Sequence, residues 1–390
     1  MTDKNKFLIR DSFLGTIFSF LASFILYVIV VNISIFDPFE KAFEDFNFTD
    51  IYYAKELYEN KISKDVVLVN IKHSGRVEIA EAINKIADQK PKVIGIDAIF
   101  KEKKEPFVDS ILNAALHKSN KIVTAFFHKE NGSITRSQKE FHTSKTHEGY
   151  VDFNLEGENN VVREFKGVNT EKDTVFAFAT QIAMVSGYLD KNTAKQKLSE
   201  ELTIKYTGNL NSFLVLDIDD VLAKDSIPAL KNAIVIMGYL GDPTDNPYDI
   251  EDKLFTPLNP KYTGKSTPDM FGVLVHANIV KMLINKSFIT VTPKYVCYIL
   301  AFLVSFVFIM ISLVLNKGNS VISHILIKIL QLLFTVSTLY LALLLLKNDI
   351  IINVTPILVL VLLSGEMVSY FEHLLEYLKH KFQWKNYLDF

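Results

Sequence analysis

Carboxylates are the residues of this sequence placed where they could do chemistry. Asp97 ends the run Val93-Ile94-Gly95-Ile96, four apolar or glycine residues without alternation, preceded by Pro91 and Lys92. A run this short and β-branched reads as a parallel strand buried on both faces. Its carboxylate then lies at the strand's C-terminal end, where open α/β sheets place their clefts. A strand-end Asp can contact a ligand, coordinate a metal, or cap the next loop through its own backbone bonds. Of these, the structural role weighs most and the metal least.

Other clusters offer less. Asp217-Ile218-Asp219-Asp220 invites comparison with a phosphatase or cation motif. No strand is read before it and the Thr or Gly spacing is missing, so it is expected to be an acidic helix start favoured by the dipole. Asp242, Asp245, Asp249, Glu251 and Asp252 form an acid-rich loop whose order does not match an EF-hand. Gly238-Tyr239-Leu240-Gly241-Asp242 lacks the Lys-Ser/Thr pair of a phosphate loop. No Ser, Cys or His elbow offers a nucleophile. The single cysteine, Cys297, lies in an apolar segment and excludes an intramolecular disulfide or a Cys-based zinc site. No catalysis, metal or cofactor is therefore expected, and a hydrolase built on Asp97 or the Asp217 cluster ranks last.

The elements that must position these residues follow from the distribution of charge and apolar side chains. The 42 basic and 44 acidic residues are interleaved and leave a net charge of -2, so nothing points to nucleic acid. Apolar residues concentrate near the N-terminus and in the last hundred residues, around a middle of globular composition. Phe13–Ile35 is an uncharged apolar run of 23 residues, enough to cross a bilayer core of roughly 30 Å. A signal peptide core is only about 7–15 residues, so an uncleaved anchor is expected. Tyr295–Leu315, Ile325–Leu346 and Ile350–Phe371 are three further spans, with Lys328 able to snorkel to the interface and Pro356 near the start of the last.

Orientation follows from Lys and Arg placement. Lys4, Lys6 and Arg10 precede the first span, Lys317 and Lys328 separate the second from the third, and Lys379, Lys381 and Lys385 follow the fourth. With four spans all three sets share one side, the cytoplasm. Residues 1–12 and 372–390 then lie inside and residues 36–292 outside the plasma membrane of a bacterium. Glu366 falls within the last span, where an ionisable residue is a functional candidate by default. Its expected role is the plainer one of reaching headgroups, water or another helix.

In the exported part, aromatics recur at helical spacing over Asp37–Asn60, the pattern of an amphipathic helix leaving the membrane. Val66–Ile71 is a strand, Arg76–Gln89 a helix, then come the Asp97 strand, a helix over Phe107–His117 and a strand over Lys121–Phe127. Two successive βαβ units predict an α/β domain with a mostly parallel, helix-covered sheet. Gly149–Leu155 and Val161–Lys166 read as short strands, Thr174–Leu189 as a helix, Thr203–Tyr206 as a strand and Asp217–Ala223 as a short helix. Ala233–Met237 is another buried strand and Phe271–Ile284 a helix leading to the membrane.

This layout resembles the CHASE2 extracytoplasmic sensor domain followed by three transmembrane helices. The resemblance rests on Val66–Ile71; on Pro91-Lys92-Val93-Ile94-Gly95-Ile96-Asp97 with Phe100; on Asp109; and on Gly149-Tyr150-Val151 with Val161-Val162-Arg163. It continues through Ala229–Gly238, Asp252, Thr256-Pro257-Leu258 and Phe271-Gly272-Val273-Leu274-Val275-His276-Ala277-Asn278. Two places depart from the family pattern: Lys72-His73-Ser74 stands where an acidic residue usually follows the first strand, and Glu156–Asn160 replaces an Asp-rich turn.

The resemblance picks out Asp97, Asp109, Asp252 and His276 as ligand-binding candidates. His276 is expected to be a hydrogen-bonded structural histidine, or a reporter of pH given its unperturbed pKa of about 6.5. CHASE2 proteins are generally receptors with a cytoplasmic effector domain. The 19 residues or so after the last span offer only a short amphipathic helix with Trp384 and Tyr387. The expectation is therefore a non-enzymatic membrane sensor that signals to a separate effector protein, embedded in membrane lipid. Receptors of this plan usually work as pairs, which makes a homodimer compatible with it. The alternative is a structural or assembly subunit of a membrane complex.

Overall fold

The computed structural model describes residues 2–31, 48–58, 61–129, 133–142, 146–153, 161–170, 173–242, 250–259, 267–316 and 320–389. The chain divides into two compact units, Asp45–Ile289 and a second made of Met1–Glu44 with Thr290–Phe390.

The second unit opens with helix α1 (Asp3–Val31), and the Asp45–Ile289 unit with α2 (Phe48–Ala54). Tyr52 and Tyr53 of α2 are buried, as an amphipathic face requires. Most of the aromatic segment before it, 36–47, lies outside the described residues. The chain then alternates: β1 (Ser63–Asn70), α3 (Arg76–Asp88), β2 (Val93–Ile96), α4 (Pro106–Leu116) and β3 (Ile122–His128). β4 (Ile134–Thr135) and β5 (His147–Tyr150) follow. Short β6 (Glu164–Lys166), β7 (Val168–Asn169) and β8 (Val175–Phe176) lead to α5 (Phe178–Val185) and α6 (Lys191–Lys197). Next are β9 (Glu201–Thr203), β10 (Phe213–Asp217), α7 (Ile218–Ala223) and β11 (Ile234–Gly238). β12 (Lys253–Leu254), β13 (Met270–Phe271) and α8 (Gly272–Asn285) close the unit.

The main sheet runs β10-β1-β11-β2-β3, with β4 and β5 both pairing β3. Every pair is parallel except β3 with β4. The parallel strands are apolar on both faces because both faces are covered. On one side Ile79, Ile83 and Ile86 of α3, Leu112 and Leu116 of α4 and Ile218 and Val221 of α7 share a core with Val67, Val69, Ile94, Ile96 and Val235. On the other side α5 comes so close that a Cβ on Gly95 would stand 2.5 Å from Ile182 Cδ1.

Several sequence readings need correction. The 174–189 helix begins only at Phe178, because Val175 and Phe176 pair with β7 as a two-residue strand. The strand expected at 203–206 is instead Glu201–Thr203, set by its pairing with Glu164–Lys166. Asp217 does have a strand in front of it: β10 ends on it and pairs along β1 from Val67 to Asn70. Its outer positions, Leu214 to Asp217, are partly accessible, so the continuous apolar signature of an interior strand is absent there. The Glu156–Asn160 turn lies outside the described residues.

Among the described residues, four helices are long and apolar enough to cross a membrane. They are α1, α9 (Lys294–Leu315), α10 (Ser320–Lys347) and α11 (Thr355–Phe382). Within this unit Ser12, Thr16, Ser19 and Ser23 form a buried small-residue stripe along α1, and Gly15 sits against Phe371 and Ile309. Small side chains of this kind let helix backbones approach closely where no water drives association.

Ile350 and Ile351 are not helical: β15 (Ile350–Ile351) pairs with β14 (Thr290–Val291), and Pro356 then stands in the first turn of α11, where its missing N–H costs least. The tail is not a separate helix, because α11 runs on to Phe382. Beyond it the chain folds back: the Tyr387 amide donates to Asp11 Oδ2 at 2.6 Å, and the Arg10 guanidinium lies 4.8 Å from the Trp384 ring centre.

Candidate functional site

β1, β11, β2 and β10 deliver their C-terminal ends to one edge of the sheet. Asn70, the last residue of β1, organises that edge. Its Nδ2 donates to the Gly241 carbonyl at 2.9 Å, and its Oδ1 accepts from the Leu240 amide at 3.0 Å and the Lys72 amide at 3.1 Å. One side chain thus fixes the loops leaving β1 and β11. Asp97 follows β2, its own amide bonded to the Met237 carbonyl at 2.8 Å. Between Asp97 and α8 only glycine fits: a Cβ on Gly238 would stand 3.2 Å from Asp97 Cβ and 2.7 Å from Val273 Cγ2.

Asp252 is the second carboxylate here. It sits at φ 53°, and its carbonyl accepts from the Gly272 amide at 2.9 Å, which ties it to the first turn of α8. Removal from water pushes the Asp97 carboxyl up to about 7, and the Asp252 charge adds to the rise. Near neutral pH Asp97 is therefore divided between acid and carboxylate, able to donate or to accept a hydrogen bond. The rim is polar and aromatic. Lys72 Nζ reaches Asp219 at 2.7 Å and Asp217 at 3.5 Å, while the His73 ring lies 5.0 Å from Tyr239 and its Nε2 3.7 Å from Glu251.

The structure brings Asp97 and Asp252 together and places the other two candidates elsewhere. Asp109 lies on α4, paired with the buried guanidinium of Arg76, and its second oxygen accepts from the Lys104 amide at 2.9 Å. Arg76 also donates to the Glu102 carbonyl and lies 5.8 Å from the Phe100 ring and 5.6 Å from Phe141. These contacts hold the 97–109 connection and the start of α4 onto α3. His276 is buried inside α8, stacked 4.7 Å from Phe153 and 5.4 Å from the edge-on ring of Phe178. The expected hydrogen bond is not seen at its Nδ1, which has no partner among the described residues. Burial pushes its pKa down to about 3, so it is neutral throughout the physiological range and cannot report pH there.

No group of three or more His, Cys, Asp or Glu side chains that could hold a metal occurs among the described residues. Two open cavities lie at the β3–β5 side of the sheet. One of about 500 Å³ is lined by Lys121, His147, Phe176, Gln181 and Lys191, the other of about 470 Å³ by Arg136, Ser137, His142 and Glu148. Neither contains Asp97 or Asp252.

Asn70, Lys72 and Tyr239 were not anticipated from the sequence as part of this edge. A polar residue closing an apolar strand was the available signal for Asn70, the same signal that drew attention to Asp97. Of the acid-rich loop, Asp245 and Asp249 lie outside the described residues.

A family model for the CHASE2 domain matches residues 24–315, about three quarters of the chain. The chain belongs to the CHASE2 family. The match begins inside α1 and ends with α9, so it takes in the whole α/β unit, the last part of α1 and all of α9. CHASE2 domains are sensory and extracellular. Neither curated proteins nor solved structures yield a match.

Proposed function

We propose that this CHASE2 protein is a non-enzymatic membrane sensor whose α/β unit recognises a polar ligand at the Asp97–Asp252 edge. The signal passes through the membrane helices to a separate effector. The observation that supports this reading is the grouping of polar side chains at the strand ends. A carboxyl poised near neutrality, a second carboxylate and a lysine–aromatic rim meet where parallel sheets receive ligands. The distribution of Lys and Arg supports cytoplasmic termini and an extracytoplasmic sensor unit in a bacterial plasma membrane.

The test compares the full chain and Asp97→Asn in thermal shift against fractionated extracts. A fraction that stabilises the wild type by several degrees and leaves Asp97→Asn unmoved supports the site. A wild type that responds to nothing, with no signalling change on deletion of the gene, removes the reading.

A further inference from the structure

Lys328 of α10 and Glu366 of α11 form an ion pair with each other, yet their side chains remain 58% and 54% exposed. Exposed Ile325 and Leu332 on α10 and Leu362 and Tyr370 on α11 surround them, so the two charges interrupt an otherwise apolar surface. From Thr355 to Glu366 the helix rises about 17 Å, past the middle of a hydrocarbon core of roughly 30 Å. Lys328 has the long stem that can snorkel outward, whereas Glu366 has the shorter reach and is neutralised here by the lysine beside it. The pair is also held in place from beneath. Gln331 Nε2 donates to the Leu362 carbonyl at 3.1 Å and packs on Gly365, locking α10 to α11 one turn away.

We propose that this patch is the contact surface for a second copy of the chain, related by a two-fold axis along the membrane normal. A patch holding one cation beside one anion is its own complement under two-fold rotation. Lys328 then meets Glu366 of the second copy while Glu366 meets the second copy's Lys328. Each charge gains a second counter-ion and leaves the lipid, and the apolar side chains around the four charges close against their mates. A single internal pair facing lipid satisfies each charge only on one side. The inference rests on α10 and α11 crossing the membrane and is independent of what the α/β unit binds.

The test uses the full chain carrying two different tags, co-expressed and recovered from native membranes. Wild-type copies should co-purify. Lys328→Glu alone and Glu366→Lys alone should each reduce recovery of the second tag by tenfold or more, since like charges then face one another. Co-expressing Lys328→Glu copies with Glu366→Lys copies should restore it, and so should the double reversal K328E/E366K within one chain.

Restoration by the double reversal without restoration by the mixed singles means a purely internal pair and overturns the proposal. So do single reversals that still self-associate, or capture of headgroups or another membrane protein in place of the second copy. An independent arm leaves the charges untouched in case the reversals misfold. In a Cys297→Ser background, Leu332→Cys should form an oxidative cross-linked dimer and Phe24→Cys on α1 should not. The opposite pattern, or no cross-link at Leu332→Cys, also overturns it.

Discussion

The Asn70 side-chain amide and the Gly241 carbonyl, far apart in sequence, meet at 2.9 Å and join the loops that leave the two central strands. Asn70 is buried, and its oxygen serves two further backbone amides, so no water can substitute for it cheaply. Asn70→Ala should reduce the stability of the sheet by about 2–4 kcal/mol. Hydrogen exchange of the β1 and β11 amides in the full chain reads that loss, and unchanged protection would remove the organising role.

Asp97 carries the opposite liability. Its folded pKa, about 7, lies above the ordinary carboxylate value, so its contribution is complete below about pH 4 and is lost as pH rises toward 7. Asp97→Asn should therefore stabilise the unliganded protein at pH 8 by about 1–3 kcal/mol, a range reduced because the carboxylate is partly accessible, and change little at pH 4. Melting curves at the two pH values decide it. Equal effects at both would show that no raised pKa exists.

His276 runs the other way. Its folded pKa, about 3, lies below the unfolded value, so its stabilisation is present above about pH 6.5 and is lost as pH falls toward 3. Replacing the imidazole with a ring that cannot charge, His276→Phe, should flatten the decline in melting temperature between pH 6 and pH 4. A parallel decline in wild type and variant would refute a buried neutral histidine.

Arg76 and Asp109 should behave as a unit. Burial alone would raise the Asp109 carboxyl, but the Lys104 amide and the Arg76 guanidinium, by hydrogen bond and by charge, hold it below its ordinary value. Its support is thus present above about pH 4 and fades as pH falls through the lowered value. Arg76→Ala should lower the melting temperature at pH 7 far more than Lys103→Ala, whose exposed partner is Glu140. Similar losses for the two variants would contradict a buried anchor.

Glycine substitutions should separate two kinds of close approach. A Cβ on Gly95 meets the far end of Ile182, which can turn aside, so Gly95→Ala should cost about 1–2 kcal/mol. On Gly149 the same atom meets the Phe178 backbone, which cannot, so Gly149→Ala should cost about 3 kcal/mol or more. Amide protection across β2, β3 and β5 ranks the two, and the reverse order would show that α5 is free to shift.

Short-range pattern was enough to read the four apolar helices, the buried parallel strands and the strand-end position of Asp97, because hydropathy and side-chain period act within a window of the chain. Pairing across long separations was not legible. β10 is not legible as a strand because partner choice, rather than its own composition, makes it an edge strand beside β1. The resemblance picks out both Asp97 and Asp109, and only the fold shows that Arg76, 33 residues before Asp109, claims that carboxylate and leaves Asp97 at the strand-end edge. His276 lost its role as a pH reporter only when the rings of Phe153 and Phe178 closed over it. Lys328 reads as a residue snorkelling to the interface and Glu366 as one reaching headgroups, water or another helix, and the packing of α10 on α11 selects the last by making them partners. Local sequence determined which segments are helix, strand and apolar span; tertiary packing decided which polar groups are satisfied inside the fold and which are left to bind something else, because burial and electrostatic partnership are properties of contacts between distant residues.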